Sequence, residues 1–335
     1  MSRTISFLFG LAVGALALAP TAQARPLALE DVLTARETLS YRGLLRVTRT
    51  GPAGTRQQRL RVTRAGHQRV RQELLDASGA VRDVLVSDGA VRWHHTPRLR
   101  AVTVSPLEAE GSLPRRLALA RRNYGFRVLG QLRHLNRLVL LVQLTPRAAG
   151  NLTHRLWVDQ ATRLPLVVER RDEAGQLVDR SEFLSITFSP RLSPEDTRFR
   201  LPPGVRVSNA TTVLAQGSSG SLPPAGQRWR PEPPRWLPKG YELLHWQHFL
   251  DHRRVPTFVW RYHDGLSLLS CFATDARSQA SPPADSRAVR VGAGEGFALA
   301  QGPKHLLSWR VGQTAYTLVG HLPEAILDTV AGSVP

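Results

Sequence analysis

The chain has 335 residues, 42% of them hydrophobic, and carries a formal net charge of +19. Its single cysteine, Cys271, excludes an internal disulfide, so stability must come from ordinary burial, which a chain of this length can supply as two domains. No apolar run reaches the roughly 20 residues that a membrane span needs, and Lys239 and Lys304 are the only lysines, so the basicity is essentially arginine.

Arg3 is followed by an almost wholly apolar run over 5–19 and by small residues at Ala22 and Ala24, the pattern of a secretory signal peptide over 1–24. No cysteine follows the expected cleavage site, which argues against lipoprotein anchoring. The expectation is a soluble protein in the periplasm or an equivalent compartment. Export removes nucleic acid from the field of partners. It leaves anionic headgroups, phosphorylated glycolipids or an acidic protein segment to answer the charge, in a salt-dependent way.

Residues 27–39 read as a short amphipathic helix with Glu30 and Asp31 in its first turn. The period then switches to two. Strands are expected at 41–49, 56–64, 67–75, 81–87, 90–95 and 99–104, separated by turns such as Gly51-Pro52 and Asp88-Gly89. In Arg59-Leu60-Arg61-Val62-Thr63 the arginines share one face and the aliphatics the other, so this sheet has a wet side and an apolar side. A helical turn over 113–122 interrupts the strands, which resume at 124–132 and 137–144.

The stretch 155–188 is a β-meander. Asp159-Gln160-Ala161-Thr162 and Asp172-Glu173-Ala174-Gly175 form its turns. Imperfect alternation over 176–188 means that the buried face changes along the last strand or that a bulge intervenes. So many antiparallel strands with one or two helices imply a large curved sheet over 25–205, wrapped on helices. The Gly, Ser and Pro content of 206–234 reads as an interdomain linker, with relative motion of the domains as the default. A smaller α+β domain over 235–335 follows, with a helix over 322–330 opened by Pro323.

The patterns that invite an enzymatic reading are weak. His94 and His95 adjoin on a strand and point to opposite faces. His245, His248, His252 and His263 match no metal-ligand spacing, and no serine or cysteine sits in an activating setting. The run Gly292-Ala293-Gly294-Glu295-Gly296-Phe297 reads as a flexible hairpin loop, and Asp264-Gly265 as a tight turn and nothing more. No catalytic residue, metal or cofactor is expected.

Several motifs resemble those of the RseB/MucB family of periplasmic regulators of the sigma-E type stress response. They are Tyr41-Arg42-Gly43, Arg155-Leu156-Trp157-Val158-Asp159 followed by Thr162-Arg163-Leu164-Pro165-Leu166, Trp236-Leu237-Pro238-Lys239-Gly240-Tyr241, Asp264-Gly265-Leu266, and Tyr316-Thr317-Leu318-Val319-Gly320. Arg163 departs from the pattern by standing where a turn glycine is usual. The resemblance implies a LolA/LolB-like unclosed barrel over helices with an apolar cavity, then a smaller C-terminal domain. It also implies a non-enzymatic protein that binds the periplasmic region of a membrane anti-sigma factor and yields it to lipid or lipoglycan. Trp93, Tyr124, Phe126 and Trp157 are the candidate cavity liners, with plain core as the competing role. Arg115, Arg116, Arg121 and Arg122 are the candidate anionic contacts, against a solvated helix face. A lipid or lipoprotein carrier without a signalling role is the alternative, and self-association is left open.

Overall fold

The structure is a computed structural model that describes residues 25–51, 54–106, 112–209, 211–218, 229–251, 253–278, 282–283, 286–292, 294–301 and 304–335. The expected signal peptide at 1–24, the linker portion 219–228 and His252 lie outside the described residues.

Helix α1 (Leu29–Thr38) leads into a six-strand meander of β1 (Tyr41–Gly51), β2 (Gly54–Ala65), β3 (Arg69–Leu75), β4 (Val81–Asp88), β5 (Val91–Thr96) and β6 (Ala101–Pro106). Helix α2 (Leu113–Asn123) then gives way to a second meander, β7 (Tyr124–His134), β8 (Arg137–Pro146), β9 (Thr153–Asp159), β10 (Pro165–Arg171) and β11 (Leu177–Phe188). Strand β11 returns to pair with β1, which joins the two meanders into one sheet. With β12 (Arg206–Asn209) added parallel to β6, the order is β12-β6-β5-β4-β3-β2-β1-β11-β10-β9-β8-β7. Among the described residues β12 and β7 are the two edges and do not pair with each other, so the sheet is unclosed.

The imperfect alternation in β11 has the expected cause. Leu44 pairs with Ser185 and Leu45 with Phe183, which leaves Leu184 as an extra residue. Apolar side chains of α1 and α2, among them Leu29, Val32, Leu33 and Ala120, pack with Val142, Leu144, Leu156 and Val158 on one face of the sheet. Arg163, in the turn before β10, takes φ 63°. That is the left-handed conformation a glycine adopts without strain, and it explains the family's usual residue there.

The second sheet comprises β13 (Thr211–Ser218), β14 (Glu242–Asp251), β15 (Pro256–His263), β16 (Leu268–Asp275), β17 (Arg287–Val291), β18 (Gly294–Gln301), β19 (Lys304–Val311) and β20 (Thr314–Gly320), closed by helix α3 (Glu324–Gly332). Its order is β13-β14-β15-β16-β20-β19-β18-β17. Trp246, Phe258, Trp260, Trp309 and Tyr316 form the core together with Leu327 and Val330 of α3. Cys271 is buried there, and burial pushes its thiol well up.

Three sequence expectations are corrected. The stretch read as a linker contains β12, which extends the first sheet, and β13, which edges the second. The glycine run read as a loop carries the start of β18, because Gly296 lets that strand close on Ser308 and Trp309, where a Cβ would collide. Pro323 sits at the N-cap of α3, just outside the helix.

Candidate functional site

Two features stand out: a hollow on the first sheet and a contact that pins the second domain to it. The hollow follows from register. Arg42 faces Thr63, which faces Arg71; in the next row Arg61 faces Glu73, Glu73 faces Val84, and Val84 faces His95. Cross-strand partners share a face, so Arg42, Arg61 and Arg71 lie together on one side of β1–β5. Val168 of the helix-packed core faces Ser181, which faces Val47, an odd-numbered residue of β1 like Tyr41. Arg42 is even-numbered, so its face is the one opposite the helices.

The segment after β11 crosses that face as a strap. Its short turn Pro194–Thr197 is held by Asp196, which accepts from the backbone N–H of Ser193 at 2.7 Å. Arg42 ties the strap to β1 through Asp196 at 2.6 Å, and Phe199 stacks on Trp93 with ring centroids 5.2 Å apart. Beneath and beside the strap lies a hollow of about 670 Å³, lined by Arg42, Arg61, Arg71, Arg198, Arg200, His95, Glu73, Glu195 and Asp196. A second hollow of about 430 Å³, bordered by Trp93 and Arg69, flanks the strap's other side.

The arginines outnumber the carboxylates in this lining. Burial would raise the Glu73 carboxyl, but hydrogen bonds from Arg71 (2.8 Å) and Arg61 (2.5 Å) outweigh it and hold the group below its ordinary value. Glu195 is held down chiefly by Arg200. Burial, then the neighbouring His94 and Arg71, lowers His95 and favours its neutral form. The hollow is therefore positive at neutral pH, and its guanidinium forks suit a phosphate or carboxylate.

The pin is the turn between β15 and β16. Asp264, 0% exposed, accepts from the hydroxyl of Tyr124 at 2.6 Å and from the N–H groups of Leu266 and Ser267 at 2.8 and 2.7 Å. Gly265 has φ +107°, and a Cβ there would collide with the backbone of Ala120 in α2. Asn123 donates to the carbonyls of Gly240 and Asp264 at 2.8 and 2.7 Å, and Leu266 packs into the core beneath α1 and α2. Burial raises the Asp264 carboxyl and pushes the Tyr124 hydroxyl far up. The turn expected to be only a turn is a wedge between two domains.

The four aromatic candidates are not brought together. Trp93 borders the second hollow and stacks on the strap. Tyr124 is buried at the pin, Phe126 packs on the helix-side core, and Trp157 lies under the guanidinium of Arg180 at 5.1 Å. The four arginine candidates all have partners within the chain. Arg116 and Arg121 pair with Glu37 and Glu30 of α1, while Arg122 reaches Glu242 at 2.7 Å and Arg115 donates to the carbonyl of Leu243 at 2.9 Å. They fasten α2 to its neighbours.

The hollow's own arginines were missed because single-strand alternation places Arg61 on a face but cannot align it with Arg42 and Arg71 on other strands. The signal that would have found the strap is Pro194-Glu195-Asp196-Thr197 followed by Phe199, a capped turn ahead of an isolated aromatic. Among the described residues no group of histidine, cysteine, aspartate and glutamate is arranged to hold a metal.

A family model described as the MucB/RseB N-terminal domain matches residues 26–201. The chain is similar to a curated relative, the sigma factor AlgU regulatory protein MucB of Pseudomonas aeruginosa, with 29% identity over 170 residues. That match covers 48% of this chain and 49% of the relative, so it spans about half of each. Among solved structures, a chain of the Pseudomonas aeruginosa MucA/MucB complex is similar at 20% identity and a TM-score of 0.60, covering 92% of this chain and 96% of that one. A crystal structure of MucB is similar at 18% identity and a TM-score of 0.55, covering 91% and 94%. Likeness at that identity establishes the shared fold across both domains.

Proposed function

We propose, from the premise that this chain belongs to the MucB/RseB family, that it is an exported, non-enzymatic regulator. It holds the periplasmic region of a membrane anti-sigma factor and releases it when an anionic lipid or lipoglycan binds. The relative named above regulates a sigma factor, and MucB has been solved in complex with the periplasmic part of MucA. The observation that carries the reading is the hollow: five arginines against three carboxylates, closed on one side by a strap that a single ion pair ties to β1.

An entering phosphate competes with Asp196 for Arg42 and with Glu73 for Arg61 and Arg71. The Arg42–Asp196 pair is partly exposed, at 47% and 29%, so it contributes no more than about 1 kcal/mol and yields readily. A ligand that prefers the strap-open form shifts the balance between the two forms by that difference in affinity. The guanidinium groups of the lining support headgroup recognition over carriage of a bare acyl chain, and with it the regulatory reading over the carrier one.

The test is calorimetric titration of the mature protein with the periplasmic region of its cognate anti-sigma factor, with and without micelles of a phosphorylated lipid. Wild type binds the partner and loses affinity when the lipid is present. The combined variant Arg42→Ser, Arg61→Ser, Arg71→Ser keeps the partner and loses the lipid response. A variant that responds to lipid as wild type does removes the hollow from the mechanism.

A further inference from the structure

Among the described residues, the first sheet ends in an unpaired edge. Strand β7 bonds to β8 on one side and to no other described strand. Five consecutive residues, 127–131, are exposed, with Val128 42% and Leu129 37% accessible and Leu138 of the adjoining strand 41%. A long apolar edge is a template for another strand, and proteins usually blunt it with a bulge or with charges. A bulge is present at Leu129, between the pairs Val128–Val142 and Gly130–Leu141. It still leaves five-residue ladders on either side.

Charge decides what fits. From Leu113 to Val158 the sequence contains nine arginines and no aspartate or glutamate. The arginines of α2, within that stretch, find carboxylates on α1 and β14. Arg127 and Arg133 on β7, and Arg147 just after β8, have no side-chain partner among the described residues. The edge therefore presents unpaired backbone N–H and C=O groups, exposed aliphatics and uncompensated guanidinium groups along one line. A lipid headgroup answers only the last of these. A second copy of the chain is disfavoured: antiparallel pairing of two β7 strands about Gly130 sets Arg127 of each against Arg133 of the other, and like charges directly opposite destabilise a sheet.

We infer that β7 is a docking edge for an extended acidic peptide segment, which adds to the sheet as a thirteenth strand beside β7. Its acidic residues reach Arg127 and Arg133, and its apolar residues cover Val128 and Leu129. The inference rests on the function proposed above and deepens it: the segment belongs to the periplasmic region of the anti-sigma partner. The edge lies apart from the arginine-lined hollow, so partner and lipid meet different surfaces of one sheet.

The test is hydrogen exchange of the mature protein with and without the periplasmic region of its cognate anti-sigma factor, together with affinities for two variants. Binding is expected to slow exchange of the β7 amides. Arg127→Glu combined with Arg133→Glu weakens binding about tenfold at low salt and less at high salt, and Val128→Lys combined with Leu129→Lys weakens it without the salt dependence. All four positions are exposed, and unchanged thermal unfolding confirms that the variants are folded. If the partner binds while β7 exchange and the variants' affinities stay as in wild type, the docking edge is wrong and the regulatory function stands. If wild type does not bind the partner, the function fails and the docking edge fails with it. Protection of β7 that grows with protein concentration alone marks a self-pairing edge and overturns the inference.

Discussion

Replacing Tyr124 by Phe removes one oxygen from the contact that holds the two domains together. The hydroxyl donates to Asp264 at 2.6 Å, and the two residues are 2% and 0% exposed. Water cannot replace the lost donor without opening the interface. A hydrogen bond to a charged group contributes about 1.5–3 kcal/mol, so the docked state loses roughly ten- to 150-fold in population relative to forms in which the contact is open. Burial raises the Asp264 carboxyl above its unfolded value. Its contribution is therefore fully present in acid and is lost as pH rises through the folded value. Without the Tyr124 donor the ionised form is costlier still, so the deficit of Tyr124→Phe is largest at neutral pH and shrinks on acidification. Asp264→Asn keeps an acceptor for Leu266 and Ser267 and carries no charge, which flattens the pH profile. Urea unfolding at pH 7 and at pH 4.5 reads both effects, and small-angle scattering reads the separation of the domains. A Tyr124→Phe protein within about 0.5 kcal/mol of wild type at both pH values refutes the pin.

Two further outcomes follow from buried positions. Gly265→Ala combines left-handed backbone strain of about 1–2 kcal/mol with a collision against Ala120. The turn withdraws from α2, and limited proteolysis between the domains becomes faster; unchanged cleavage contradicts the close approach. His154 is buried near Arg170, and burial, then Arg170 and Arg36, depresses its imidazolium to about 3. The unfolded chain takes up the proton first, so stability falls as pH drops from about 6.5, by roughly 1.4 kcal/mol per pH unit from this residue. His154→Leu reduces that slope in denaturation series between pH 7 and 4, and an unaltered slope places the acid sensitivity elsewhere.

Alternation and turn chemistry made most of the first domain readable in the amino-acid order alone. Both helices, eleven antiparallel strands, the irregularity in β11 and the tight turn at Asp264-Gly265 each rest on interactions between near neighbours. The arginine excess and the choice of a curved sheet with a smaller second domain were legible for the same reason. What alternation cannot supply is which strands lie side by side. Arg42, Arg61 and Arg71 become one hollow only because β1, β2 and β3 pair in a particular register, and Phe199 meets Trp93 across more than a hundred residues of chain. The same holds for Asp264, whose turn is dictated locally but whose partner Tyr124 is chosen by how the two sheets pack. It holds as well for β12 and β13, which are placed by pairing with β6 and β14. Local preference decided the elements; contacts between residues far apart in sequence decided where charge, aromatic rings and the free edge of β7 come together.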